Sequence, residues 1–389
     1  MIKAKKIILL ILLLGFFSVI KAQKVKELLH IDRIALQIPD SLTFSTQKIT
    51  DYFDTNFSSQ NEKARAIFSW IAENIQYDAD NIYAFSIEQN PGRSVDEILK
   101  TRKGICHDYA MLFNDIANKV GIKTYVITGY TKQNRRISCN PHAWCASYID
   151  SSWYLIDPTW GSGYIQDSYY VKDINNNYFK AKPKSFVKTH MPFDPLWQFL
   201  SYPITKQEFN TVKFRFGGTK IFFNFTDSIK EYEKQSKIER QISSNIRINK
   251  NGIANYLVFE KLYFLKIKIE AHYAHLIHEQ YDSALSTYNN GIQLHNNYID
   301  YKNKQYLPYR SDAELTQMLD DVEHMFIKSL AYLNKIESPN TKMSGFIMQL
   351  DRIINTAIIE LNVQKNNLDK YLKIAKNYRE SLFQKQKLE

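Results

Sequence analysis

Cysteine is scarce in this chain, at three among 389 residues. A fold of that length cannot be held by so few thiols, so disulfides are excluded as its main support. Long apolar runs are missing after Ala22, which excludes a spanning helix from the rest of the chain. Excess charge of one sign is modest. The formal net charge is +11, and Lys3, Lys5, Lys6 and Lys21 belong to the N-terminal segment described next, so the remainder carries +7. Spread over so long a chain, that does not argue for a nucleic-acid partner. Proline also thins out: beyond Pro203 only Pro308 and Pro339 occur. What is abundant is apolar surface, 44% of residues, ample at this length for two cores.

The N-terminus has Lys3, Lys5 and Lys6, then the largely apolar Ile7–Ile20, then Lys21-Ala22-Gln23. A basic start, a short apolar stretch and a small residue at the cut form the pattern of an export signal. The stretch is shorter than the ~20 residues a spanning helix needs. Cleavage is expected after Ala22, giving a periplasmic or secreted chain without a stable membrane span. No Cys stands at the cut to take a lipid.

Cys106, His142 and Asp157 occur in settings suited to a nucleophile, a base and an orienting acid. After Gly104 the apolar residues Tyr109, Ala110, Phe113, Ile116, Ala117 and Val120 have helical spacing, and Gly121 is the expected stop. Cys106 therefore falls in a first helical turn, where unpaired backbone N–H groups favour an anion. Thiolate is the reactive form of cysteine, and the same N–H groups suit an oxyanion. His142–Ile149 alternates as a strand, Asp150-Ser151 reads as a two-residue turn, and Trp153–Asp157 as the return strand. That register sets Asp157 opposite Trp144 with His142 as diagonal neighbour, within side-chain reach. An acid on one imidazole nitrogen leaves the other for a thiol.

Neighbouring residues admit plainer readings. His107 points about 100° away from Cys106 on a helix, so a solvated or capping role suits it better than that of base. Cys139 and Cys145 could pair, but a strand cysteine is more often buried. Trp144, Trp160 and Tyr130 are the candidates to wall a substrate cleft, whereas Trp153 reads as sheet core. Lys132, Arg135 and Arg136 read as a solvated loop before His142. His272, His275 and His278 cannot all face one ion from a single helix, so no metal is expected.

Around these residues the chain resembles the transglutaminase-like superfamily of papain-like cysteine enzymes, and within it proteins of the kyphoscoliosis-peptidase type. The resemblance runs from about Lys63 to Phe209. It rests on Lys63–Ile71, Ile75–Asp78, Gly104-Ile-Cys106, Gly121-Ile122, Gly129-Tyr130, His142-Ala-Trp144 and Trp153–Gly161. Tyr178-Phe179, Pro183, His190-Met-Pro192 and Trp197–Leu200 follow in order. It implies an α+β fold with Cys106 on a helix packed against an antiparallel sheet that carries His142 and Asp157. It also implies Cys106 as nucleophile, His142 as base and then acid, Asp157 as its orienter, and an amide bond as target. Cys145 and His107-Asp108 depart from the usual residues at their positions, which bears on the substrate pocket rather than on the triad.

The expected organisation is a signal over 1–22, a transglutaminase-like unit over 23–226 and a helical region over 227–389. Ser59 and Ser311 each precede a Glu by three residues, the signature of a capped helix start. A short strand is expected over Arg33–Gln37 and a hairpin over Thr211–Phe225 with Gly217-Gly218 at its turn. From Tyr256 a long helix is expected, its regularly spaced aromatic residues forming bundle core. The function read from the sequence is an exported cysteine peptidase or amidase acting through a thioester on a protein or peptide, with no cofactor. Acyl transfer is the nearest alternative. A silent scaffold, with a protein partner on the helical region, is the alternative from another class.

Overall fold

The computed structural model describes residues 23, 26–81, 93–167, 169–337 and 341–379, so the expected export signal lies outside the described residues. The described chain divides into two compact units, 1–267 and 268–389.

The first unit opens with a helix α1 over 26–35. A strand was expected from Arg33, but Ile31, Ala35 and Ile38 recur at helical spacing and bury that face. Helices α2 (Thr46–Asn56), α3 (Gln60–Asn74), α4 (Val95–Thr101) and α5 (Cys106–Lys119) follow. Ser59 caps α3 with Glu62 in a reciprocal box, as its spacing predicts. A short parallel pair, β1 (Gln76–Tyr77) and β2 (Lys103–Gly104), leads into α5. The main antiparallel sheet comprises β3 (Thr124–Gln133), β4 (Arg136–Ile149), β5 (Ser152–Ile156) and β8 (His190–Pro192), ordered β5-β4-β3-β8. Between β5 and β8 the chain forms a separate hairpin, β6 (Gly163–Gln166) with β7 (Tyr169–Lys172), and the short helix α6 (Pro183–Phe186).

Helix α5 is the centre of the larger core. Its Tyr109, Leu112, Phe113 and Ile116 are fully buried against Ile67, Phe68 and Ile71 of α3 and against Ala143 and Cys145 of β4. Each large apolar side chain withdrawn from water there contributes about 1.5–3 kcal/mol. Arg65, buried within α3, donates two bonds of 2.6 Å to Asp32 and one of 2.6 Å to Asn176, tying α1 and the segment after β7 to the same helix. The other face of the sheet, with Trp144, Ala146 and Leu155, packs on Leu196, Trp197 and Phe199.

After α7 (Lys206–Thr211) the expected hairpin does not form; the stretch to α8 (Phe225–Lys234) is irregular. Its alternating aromatics are anchors instead. Phe214 and Phe216 stack on each other and pack against the cluster around Tyr130, while Phe223 joins the Trp144 cluster. Helices α8 and α9 (Lys237–Asn251) and the start of α10 (Tyr256–Asn303) also belong to the first unit. Ile229 packs in the Trp144 cluster, and Ile248, Val258 and Leu262 in the Tyr130 cluster. The aromatic stripe Tyr256, Phe259, Tyr263 is exposed, and at this end of α10 the aliphatic side is the buried one; the bundle-core aromatics come later, at Tyr298 and Tyr301. Aromatic spacing located the helix but not its inner face.

The second unit takes the rest of α10 with α11 (Asp312–Leu333) and α12 (Thr341–Leu372). Tyr298, Leu319, Val322, Phe326, Ile354 and Leu361 form its core, and Ser311 caps α11 through Glu314. The described fold is thus α+β, a helix on an antiparallel sheet, followed by an all-helical region. Among the described residues no helix is long and apolar enough to cross a membrane.

Gly129 shows how tightly the sheet closes. A Cβ there would meet Met191 O at 2.2 Å and Trp144 Cη2 at 2.5 Å. Gly129→Ala is expected to cost about 1–3 kcal/mol by overpacking. Gly217→Ala, where nothing lies within 4 Å, is the control. Urea denaturation of both variants measures the difference.

Candidate functional site

The site begins at the head of α5. Ile105, extended at φ −96°, is the cap, and Cys106 is the first helical residue, 4% exposed. Asp108 clamps this turn by accepting from the Ile105 N–H at 3.0 Å and from Arg93 at 2.8 Å. Gly104 is required beside it, because a Cβ at that position would lie 2.8 Å from Asp108 Cβ. The Gly-Ile-Cys run is therefore a packing solution that presents the sulfur at a helix N-terminus, where backbone dipoles favour negative charge.

The β4–β5 hairpin supplies the partners. Asp150 and Ser151 form a two-residue turn with φ of 48° and 64°, the left-handed pair that matches strand twist. Cys145 pairs with Ile156 and Ile149 with Ser152, so the register carries Asp157 opposite Trp144. His142 Nε2 lies 2.7 Å from Asp157 Oδ2. Cys106 lies near enough to act on the charge of His142, and both side chains line one cleft. Asp157 is fully buried, and its Oδ1 accepts from the backbone N–H groups of Thr159 at 2.9 Å and Trp160 at 3.1 Å.

One member of the cluster carries no role in the sequence reading. His190 of β8 is fully buried, and its Nε2 lies 3.0 Å from the same Asp157 Oδ2. Its Nδ1 meets Thr189 Oγ1 at 2.8 Å, and its ring stacks on Phe186 with centroids 4.0 Å apart. Three strand spacings of a flat sheet would separate β5 from β8 by roughly 14 Å. A 3.0 Å contact between residues at those two edges therefore means the sheet is curled around the acid.

The electrostatics follow from burial and pairing. Burial alone would lower the His142 pKa, but the charge and hydrogen bond of Asp157, with the Cys106 contact, raise it to about 10. Burial pushes Asp157 up, and His142 and His190 together overcome this, holding it well below the usual carboxylate range. Burial lowers His190 to about 4 despite Asp157, so it is neutral near pH 7. The raised His142 contributes stability that is complete below its unfolded value and lost as pH rises through about 10. The depressed Asp157 contributes stability that is present at neutral pH and lost on acidification.

Cys106 and His142 open into a cleft of about 1240 Å³ whose walls include Tyr77, Trp160, Tyr164 and Tyr178. Of the cleft candidates, Trp160 lines it. Trp144 and Tyr130 do not: both are fully buried in sheet-face clusters. Alternation put Trp144 on the His142 face, but that face is roofed by Phe186 and Trp197 at its position. Lys132 is not solvated either; its ammonium donates to the Phe209 carbonyl and sits over the Phe209 and Phe214 rings. His107 is half-buried, and burial lowers its pKa. Cys139 and Cys145 are free thiols, one exposed and one buried, with Cys145 donating to the Ala110 carbonyl at 3.3 Å. Donor atoms of His142, Asp157 and His190 all lie within 4.8 Å of one another, a spacing that could hold a metal. Their Nε2 and Oδ2 atoms are already engaged with each other as hydrogen bonds.

Part of the chain is similar to known proteins. Residues 47–158 match the model of the Transglutaminase-like superfamily. Kyphoscoliosis peptidase of Mus musculus is 32% identical over 156 residues, covering 38% of this chain and 23% of that protein. The Homo sapiens protein is 33% identical over 156 residues, with the same shares of 38% and 23%. The chain thus spans less than a quarter of the length of these relatives. A solved structure of a TGase is 22% identical with a TM-score of 0.26, covering 38% of this chain and 36% of that one. The family match, falling on α2 through the β4–β5 hairpin and ending beside Asp157, identifies residues 47–158 as a transglutaminase-like domain.

Proposed function

We propose that the chain is an exported cysteine-dependent amide-bond enzyme, a peptidase or amidase that works through a thioester. The observation that carries this reading is the convergence of Cys106, at the head of α5, with His142 and a buried Asp157 beside an open cleft. The Cys106 thiolate attacks the carbonyl carbon. His142 gives its proton to the leaving nitrogen as the C–N bond breaks, then takes one from the water that resolves the thioester. Asp157 holds the ring and stabilises its charge. Aromatic walls and the size of the cleft suit a peptide segment better than a small amide. Hydrolysis is favoured over transfer because water is abundant outside the cell and no amine site is visible among the described residues.

Trapping tests the reading. A peptide library is given to the protein and to Cys106→Ala, and covalent adducts are identified by mass spectrometry. A thioester on the wild type alone is the expected result; no adduct on either refutes the enzyme. Adducts that pass to added amines rather than water would make the reaction a transfer.

Two further measurements bear on the triad. Iodoacetamide should alkylate Cys106 rapidly at pH 6, and His142→Ala should slow this by about ten- to a hundredfold as the thiolate is lost. Asp157→Asn should bring the titration of His142 down from about 10, because only Cys106 then opposes burial. Histidine ¹⁵N NMR against pH reads that shift directly.

A further inference from the structure

Asp157 has a second imidazole on the oxygen that holds His142, and this arrangement calls for an explanation. Oδ1 is satisfied by two backbone N–H groups and Oδ2 by His142 at 2.7 Å and His190 at 3.0 Å. An ionised carboxylate accepts only, so the His190 nitrogen on Oδ2 carries the proton. In the neutral ring the other nitrogen, Nδ1, is an acceptor, and the single Thr189 hydroxyl proton goes to it at 2.8 Å in preference to the Phe186 carbonyl at 3.3 Å. Phe186, Trp160, Trp144 and Tyr178 surround the ring at centroid distances of 4.0, 4.6, 5.3 and 5.9 Å. That cage leaves no route for water to hydrate a second charge, so the ring donates as a neutral group.

We propose that His190 is a positioning residue, a neutral imidazole locked by Thr189 that fixes Asp157 Oδ2 toward His142 and keeps the acid ionised. The role rests on the reading of Cys106 as nucleophile, since only then does the orientation of His142 matter. A charged donor in place of His190 would compete with His142 for the anion, and an apolar residue would leave Asp157 a single side-chain donor. A neutral N–H stabilises the carboxylate without cancelling its charge. The lowered pKa of His190 agrees with this. Other titratable groups that feel the charge of Asp157 are Tyr77 on β1, Cys145 on β4 and Tyr178 after β7, while Cys106 on α5 acts on Tyr77 and His142. Burial raises Tyr77, Cys145 and Tyr178, so none of these three changes charge on acidification.

The test uses the full chain with ¹⁵N-labelled histidine. The low-field proton of the His142–Asp157 bond is followed as the pH is lowered, in the wild type, His190→Phe and His190→Gln. Phenylalanine keeps the stacking but donates nothing; glutamine restores an N–H near the same place. The pH at which the His142 proton signal is lost should rise by about one to two units in His190→Phe, as one bond to a charged acceptor disappears, and return in His190→Gln. Alkylation of Cys106 at pH 5 should fall about tenfold in His190→Phe and recover with glutamine. A merely structural ring would lower the melting temperature and leave the acid transition where it was. An unshifted transition in His190→Phe, or one shifted as far in His190→Gln, would overturn the proposal. Thr189→Val, which removes only the hydroxyl on Nδ1, carries the same test with a smaller shift if His190→Phe fails to fold. A sluggish wild-type thiol beside a shifted proton signal would refute the nucleophile reading alone, because the signal reports the anchoring of Asp157 independently.

Discussion

Asp157 is an anion without access to water, and an unpaired buried carboxylate is among the costliest groups a fold can contain. Its surroundings are organised by that requirement. The turn after β5 supplies two backbone donors, β4 supplies one imidazole and β8 another. To bring β5 and β8 within reach of one carboxylate, the sheet must curl, and Gly129 on the intervening strand has no side chain to prevent it. His142, held on this carboxylate, shares the cleft with Cys106 at the head of α5. The electrostatic demand and the topology are one problem with one solution.

Much of this was legible in the chain because it is local. The two-residue turn at Asp150-Ser151 sets a register, and a period of two carries that register to His142 and Asp157 without further information. Helical spacing after Gly104 likewise placed Cys106 at a first turn, and the Ser-Glu boxes gave the starts of α3 and α11. His190 was not legible in the same way. It lies 33 residues beyond Asp157, on a three-residue strand whose pairing depends on the path of everything between. Its only local trace is the His-Met-Pro run itself.

The misreadings share a cause. Trp144, Tyr130 and Lys132 were judged by their own strand and loop, and each is covered by chain from far downstream: Leu196–Phe199, Phe209 and Phe214. The stretch over 211–224 alternates like a hairpin because its rings anchor irregular chain, Phe214 and Phe216 in one cluster and Phe223 in another, not because it pairs. At the start of α10 the aromatic stripe lies outside and the aliphatic side inside, whereas Tyr298 and Tyr301 farther along are core. Periodicity reports that a segment has two faces; which one is inward is a tertiary fact.

The Asp150-Ser151 turn also bears on how such a domain can diverge. Both residues are exposed, touch no part of the cleft, and adopt left-handed φ values that several small polar residues tolerate. Their identity is therefore open to drift, but their number is not. One inserted residue would slide the return strand by a single step and swing the acid to the face occupied by Ala143 and Cys145. A length change at a solvent-facing bend, with every reactive atom still encoded, would silence the site.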